Sequence, residues 1–193
     1  MNTQYNKPVT EPDRYPKMIR FLHSLSQSRL YWLFYATAAL LALALALYHQ
    51  HVLNEPPCVV CIQVRLLMTV LVLVSVLGFF SLSNRLLNSV AHLMTIATAL
   101  ALAERSYLLL GTERGFVFAD CGFNLGLPDW FAIEDWFPAV YRVETSCGYT
   151  PEIAFGITMA EALMVASVIF VCLSSAVFVS SFFRTRASVR PEP

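Results

Sequence analysis

Charged side chains are what this 193-residue sequence has least of: Lys, Arg, Asp and Glu make up 13% of it, against 57% hydrophobic residues and a mean hydropathy of +0.59. So little charge excludes an ordinary soluble domain and puts the chain in a bilayer. Basic patches are missing outside the expected membrane flanks, which leaves nothing to bind nucleic acid. A cleavage site is missing too. The first apolar run follows a charged lead of 29 residues and ends at His49-Gln50-His51 without small residues, so it reads as a retained anchor and not a removed signal peptide.

What is present is four long apolar runs: Leu30 to Tyr48, Leu66 to Asn84, Leu86 to about Leu110, and about Ile153 to Phe183. Each is near or above the ~20 residues a spanning helix needs. The expected fold is an all-α membrane protein, a four-transmembrane-helix bundle over residues 30–183. Loops cover about 49–65 and 111–152, with tails at 1–29 and 184–193. Orientation follows from Lys and Arg in the flanks. Lys7, Arg14, Lys17, Arg20, Arg29, Arg85, Arg184, Arg186 and Arg190 gather on one side, leaving Arg65, Arg105, Arg114 and Arg142 toward the other. Both termini are therefore expected in the cytoplasm. The zero net charge hides this asymmetry, because ten of thirteen carboxylates, Glu55 to Glu161, fall in or near the segments assigned outside.

That topology gives the five cysteines their meaning. Cys58 and Cys61 fall in the first outer loop, Cys121 and Cys147 in the second, and Cys172 inside the fourth span, where it reads as a buried small hydrophobe. Two pairs thus face the oxidising compartment, where disulfides form and persist. Four outer cysteines allow three pairings, and the short spacing favours Cys58 with Cys61. A bridge across two residues closes almost no loop, so it adds little stability; Cys-x-x-Cys is instead the arrangement of fast thiol exchange. Pro56 and Pro57 precede a helix start, which sets both sulfurs near the positive end of a helix dipole. Arg65, four residues after Cys61, shares that face if the helix begins near Pro57. The bland readings are a boundary arginine, a structural disulfide, or half of a zinc site. Zinc wants four Cys or His ligands, and His49 and His51 are near enough to keep it open.

The second loop spans roughly 40 residues, and a connection that long inside a compact domain is usually either functional or disordered. Its aromatics oppose disorder. Trp130, Ile133 and Trp136 or Phe137 recur at helical spacing against Asp129, Glu134 and Asp135, which predicts a short amphipathic helix on the membrane surface or capping the bundle. Ionisable groups near the spans are functional candidates. Glu104 and Arg105 could line a ligand pocket or donate a proton there, or pair and snorkel. Glu161 reads as a boundary residue of the fourth span, and His92 as a structural hydrogen-bonder.

Together these residues resemble the bacterial disulfide bond formation protein B family. The resemblance covers about Met18 to Phe183. It rests on Pro57-Cys58-Val59-Val60-Cys61-Ile62 with Arg65, the Cys121 to Cys147 spacing, the segment from Leu127-Pro128-Asp129-Trp130 to Asp135-Trp136-Phe137-Pro138, and the four spans. It implies a thiol:quinone oxidoreductase that reoxidises a periplasmic thioredoxin-fold thiol oxidase and reduces ubiquinone or menaquinone. By the same likeness, Cys58–Cys61 and Cys121–Cys147 are the redox-active pairs. Cys121 is the sulfur attacked by the partner, Cys61 the thiolate beside the quinone, and Arg65 the cation that steadies it. The chain departs from the family at Gln63-Val64, where Tyr-Glu is common, and a nearby carboxylate is lost with it. The extension from Met1 to about Lys17 has no counterpart and reads as a disordered tail.

Two competing readings remain at this level. One is a membrane scaffold or metal-binding protein with static disulfides. The other is a specialised relative serving one dedicated thiol oxidase.

Overall fold

The computed structural model describes residues 28–117, 124–128, 130–146, 148, 150–154 and 156–188. Cys121, Cys147, Asp129 and the N-terminal extension lie outside the described residues. Four long helices dominate: α1 (Arg29–His51), α2 (Val59–Phe80), α3 (Arg85–Glu113) and α6 (Met159–Ser188). Between α3 and α6 come the short helices α4 (Ile133–Trp136) and α5 (Pro138–Tyr141), then the antiparallel pair β1 (Glu152–Ala154) and β2 (Ile157–Thr158). Each long helix has an apolar stretch of at least 22 residues, enough to cross a bilayer.

The helix starts are written in the sequence. Ser28 and Asn84 cap α1 and α3, their side-chain oxygens accepting from Leu30 N, and from Leu86 N and Leu87 N. Cys58 caps α2, its Sγ accepting from Cys61 N at 3.3 Å. Helix α2 thus begins seven residues before the run predicted at Leu66. The helix start expected just after Pro57 is thus observed, with the cysteine pair at its first turn, and Gln63 and Arg65 find partners inside the protein. At the other end, Ile153, Ala154, Ile157 and Thr158 lie in β1 and β2 and not in the last span, which begins at Met159.

The helices pack as α1 on α2, α2 on α3, and α3 on α6. Trp32, Tyr35, Met68, Leu71, Leu102, Phe170 and Val177 fill the core. Close approach is built in at Gly78, where an added Cβ would sit 2.5 Å from the Trp32 ring. Hydroxyls in the spans are satisfied locally: Ser75, Thr95 and Ser174 donate to the carbonyls of Leu71, Ala91 and Phe170 one turn earlier. The Tyr35 hydroxyl donates to Phe170 O at 3.0 Å, tying α1 to α6. Leu41, Leu73, Leu77, Leu86 and Val165 coat the outside, the surface a bundle offers to lipid. Cys172 faces outward as well, and is exposed where the sequence suggested burial. A thiol is apolar enough for a lipid-facing position.

Candidate redox site at the cysteine end

Three segments meet over the first turn of α2. The second loop is tied down mostly by backbone acceptors: Gln63 Nε2 donates to Leu125 O, Arg65 Nη1 to Val140 O, and His51 Nε2 contacts Ala139 O at 3.0 Å. The N–H groups of Glu144 and Thr145 both donate to Pro57 O, so Thr145 pairs in parallel with Cys58. That pairing brings the strand two residues before Cys147 alongside the first cysteine pair. Leu125, Ile133 and Tyr141 are buried against Cys58, Val60 and Ile62. Trp130, Trp136 and Phe137 stay exposed. The expected short helix is therefore a bundle cap with an aromatic outer rim. It takes the form of two four-residue turns because Pro138, lacking an N–H, ends one and starts the other.

Cys58 and Cys61 are free thiols with their sulfurs 2.7 Å apart. Cys58 is buried and Cys61 partly so. The Cys58 thiol is held down to about 7. The Cys61 thiol that donates to it is the main cause; burial opposes, and the backbone N–H groups of Cys61, Val60 and Cys58 add to the lowering. In the dithiol, negative charge is thus favoured on Cys58, the helix cap, whereas the family likeness assigns the thiolate to Cys61.

Arg65 is 5% exposed, and its guanidinium is occupied at both terminal nitrogens. Nη1 donates to the Gln50 side chain and to Val140 O, Nη2 to Ala46 O. Gln50, on α1, thus offers the guanidinium a neutral amide oxygen as hydrogen-bond acceptor. Sequence reading missed Gln50. His49, weighed in the sequence only as a zinc ligand, is buried on the same helix.

Behind the pair lies an apolar cavity of about 360 Å³ between α1, α2 and the start of α6. It exists because the facing helix positions carry alanine: Ala38, Ala42 and Ala46 at four-residue steps on α1, and Ala162 and Ala166 on α6. The same α1 stripe continues one turn on to His49, which is the signal that could have found that residue. Cys61, Arg65 and His49 supply the polar wall. Glu104 and Arg105 do not line this cavity; they pair with each other at 3.5 Å on the partly exposed side of α3. Glu161 pairs with Arg114 and accepts from Thr158 N, a boundary role at the start of α6. His92 packs between Tyr31 and Trp32 in the other half of the bundle. Among the described residues, no three His, Cys, Asp or Glu side chains converge as a metal site would need.

An apolar chamber with Cys61 of a Cys-x-x-Cys in its wall joins a thiol pair to the bundle interior, and comparisons with known proteins place that arrangement in a family. Residues 28–177 match the sequence profile described as disulfide bond formation protein DsbB. The chain is 32% identical over 135 residues to disulfide bond formation protein B 2 of Pseudomonas aeruginosa, covering 69% of this chain and 80% of that one. It is 32% identical over 146 residues to disulfide bond formation protein B of Shewanella amazonensis, covering 75% and 86%. With the Pasteurella multocida protein of the same name, identity is 28% over 174 residues, 90% of this chain and 98% of the other. From its four-helix frame to its cysteine end, the chain belongs to the DsbB family of disulfide bond formation proteins.

Proposed function

We propose that this chain is a quinone-dependent protein thiol oxidase that reoxidises a periplasmic thioredoxin-fold thiol oxidase and passes the electrons to ubiquinone or menaquinone. Family and fold already make it a multi-pass inner-membrane protein of disulfide bond formation. The observation that carries the finer reading is that Cys61 and Arg65 share the wall of one apolar cavity, with the Cys58 sulfur 2.7 Å from that of Cys61.

The residues fit a quinone. The cavity lies within the ~300–1,000 Å³ of small-molecule sites. Phe34, Leu45 and Ile169 line it and are also exposed on the outer face, so it opens toward lipid, where a hydrophobic quinone resides. Cys61 and Arg65 would hold the ring, and the alanine stripes leave it room. When bound, a quinone supplies a sink for two electrons and two protons.

Thiolate exchange accounts for the protein's own steps. The partner's dithiol would attack the Cys121–Cys147 disulfide at Cys121. The resulting Cys121 and Cys147 thiols would reduce the Cys58–Cys61 disulfide. Each exchange forms one sulfur–sulfur bond and breaks another, carrying two electrons inward. The Thr145–Cys58 pairing supports this order, since it brings the chain leading to Cys147 beside Cys58 and not beside the cavity. Once Cys58 is engaged in a disulfide, Cys61 is the sulfur left free in the cavity wall, with Arg65 one turn below it. That is the state in which its thiolate role applies. The Lys and Arg distribution supports cytoplasmic termini and periplasmic cysteine loops.

The test is to mix the detergent-purified chain with a reduced periplasmic thiol oxidase and a soluble ubiquinone analogue, and to follow quinone absorbance. Multiple-turnover reduction is expected from the wild type and none from the Cys58→Ala, Cys61→Ala double variant. Equal rates in the two would sink the reading.

A further inference from the structure

A second cavity of about 490 Å³ adjoins the apolar one, and its lining is polar and acidic, with Glu113, Thr150 and Glu152 in its wall. His49 and Glu55 line both. His49 is 6% exposed, and its Nδ1 is buried with no hydrogen-bond partner among the described residues. A buried polar atom left unpaired costs about 1–3 kcal/mol, so its presence calls for a physical reason. The loop after α1 is shaped around this residue: Asn54 turns the chain at φ 56°, and the Glu55 N–H donates to His49 O at 3.1 Å. Glu55 is thereby folded back toward His49, and is the less buried of the two.

We propose that His49 carries protons from the polar cavity to the quinone oxygen in the apolar one, with Glu55 replenishing it. The proposal rests on the quinone-linked reading and deepens it. Oxidation of the Cys58–Cys61 dithiol to a disulfide releases two electrons and two protons, and quinone to hydroquinone takes up two of each. Unbalanced charge in an apolar cavity is costly, so protons must arrive with the electrons. Imidazole changes charge between pH 5 and 8 and has two nitrogens, one to give a proton and one to receive it. His49 would give one proton to a ring oxygen and regain one from Glu55 or water, twice per dithiol oxidised, while the two protons lost by the thiols pass to water, so that as many are released as are taken up. Arg65 cannot serve, because a guanidinium does not deprotonate in proteins. The charged and titratable groups lining the two cavities with His49 are Glu55 on its loop, Cys61 and Arg65 on α2, Glu113 on α3 and Glu152 on β1.

The test uses the full chain, pre-reduced in detergent and mixed with a soluble ubiquinone analogue, with hydroquinone formation followed through a single turnover. His49→Phe is expected to slow that turnover about a hundredfold, the scale of lost acid–base catalysis, and added imidazole to restore part of it. Affinity is read separately by equilibrium dialysis in a Cys58→Ala, Cys61→Ala chain, which cannot reduce the probe; His49→Phe is expected to leave it within about threefold. In that same inactive chain, carbon-13-labelled at histidine, the His49 imidazole signal is expected to move when the analogue is added. A wild-type rate in His49→Phe overturns the proposal. So does a joint loss of rate and affinity, which makes His49 a binding group, or a His49 signal indifferent to the analogue. If the wild type itself leaves quinone unreduced, the quinone-linked reading fails first. Where His49→Phe does not fold, His49→Gln decides the same question, since an amide hydrogen-bonds but carries no proton.

Discussion

The two halves of the bundle are built on opposite packing rules. Away from the cysteines, Trp32 fills the space left by Gly78, and Tyr31, Tyr35 and His92 stack around it. At the cysteine end, alanines face one another across a cavity lined by Cys61, Arg65, His49 and Glu55. The filled half holds the helices together, so the hollow half can forgo packing and keep room for a reactant. The contrast separates where stability comes from and where chemistry happens within one short bundle.

The largest effect should come from emptying the filled half. Trp32→Ala is expected to cost about 3–5 kcal/mol of stability. Reversible unfolding in mixed detergent measures it, while the folded fraction keeps its affinity for a quinone analogue. A loss under about 1 kcal/mol would show that the aromatic cluster does not carry the fold. Next comes filling the hollow half. Ala42→Phe places a ring in the cavity and is expected to weaken analogue affinity about a hundredfold, or roughly 2.7 kcal/mol, with the dithiol still oxidisable by a soluble oxidant. Unchanged affinity would put the ligand elsewhere.

The smallest effect concerns charge. With its thiol held at about 7, Cys58 in a chain lacking the other cysteines except Cys61 should be alkylated with a midpoint near pH 7, and Cys61→Ala should move that midpoint up by removing the donor. The sign for stability is that of any depressed acid: the contribution is complete above the unfolded thiol's value and lost as pH falls through 7. A midpoint near 9 in both chains would remove Cys61 as the cause.

The spans and the cysteine pair were legible in the sequence because apolar length and Cys-x-x-Cys spacing are local signals. The start of α2 was legible too, from Pro56-Pro57 before Cys58; the burial of its first turns was not. Gln63 and Arg65 read as boundary residues, and what lets them lie inside is a set of partners 15 to 75 residues away: Gln50, Leu125 and Val140. The docking of the second loop was also invisible, since backbone donors leave no mark on side-chain pattern. The cavity was legible in part, through alanines stepping by four along α1 toward His49. Alanine favours helix and lipid alike, so that stripe passed as ordinary span composition.

One consequence follows from the carbonyl of Pro57, which receives the N–H groups of both Glu144 and Thr145. A register held by main-chain atoms does not itself depend on which side chains stand at positions 144 and 145. What such a clasp does not tolerate is the loss of a donor. Proline is therefore the one residue type barred from positions 144 and 145 by the clasp itself.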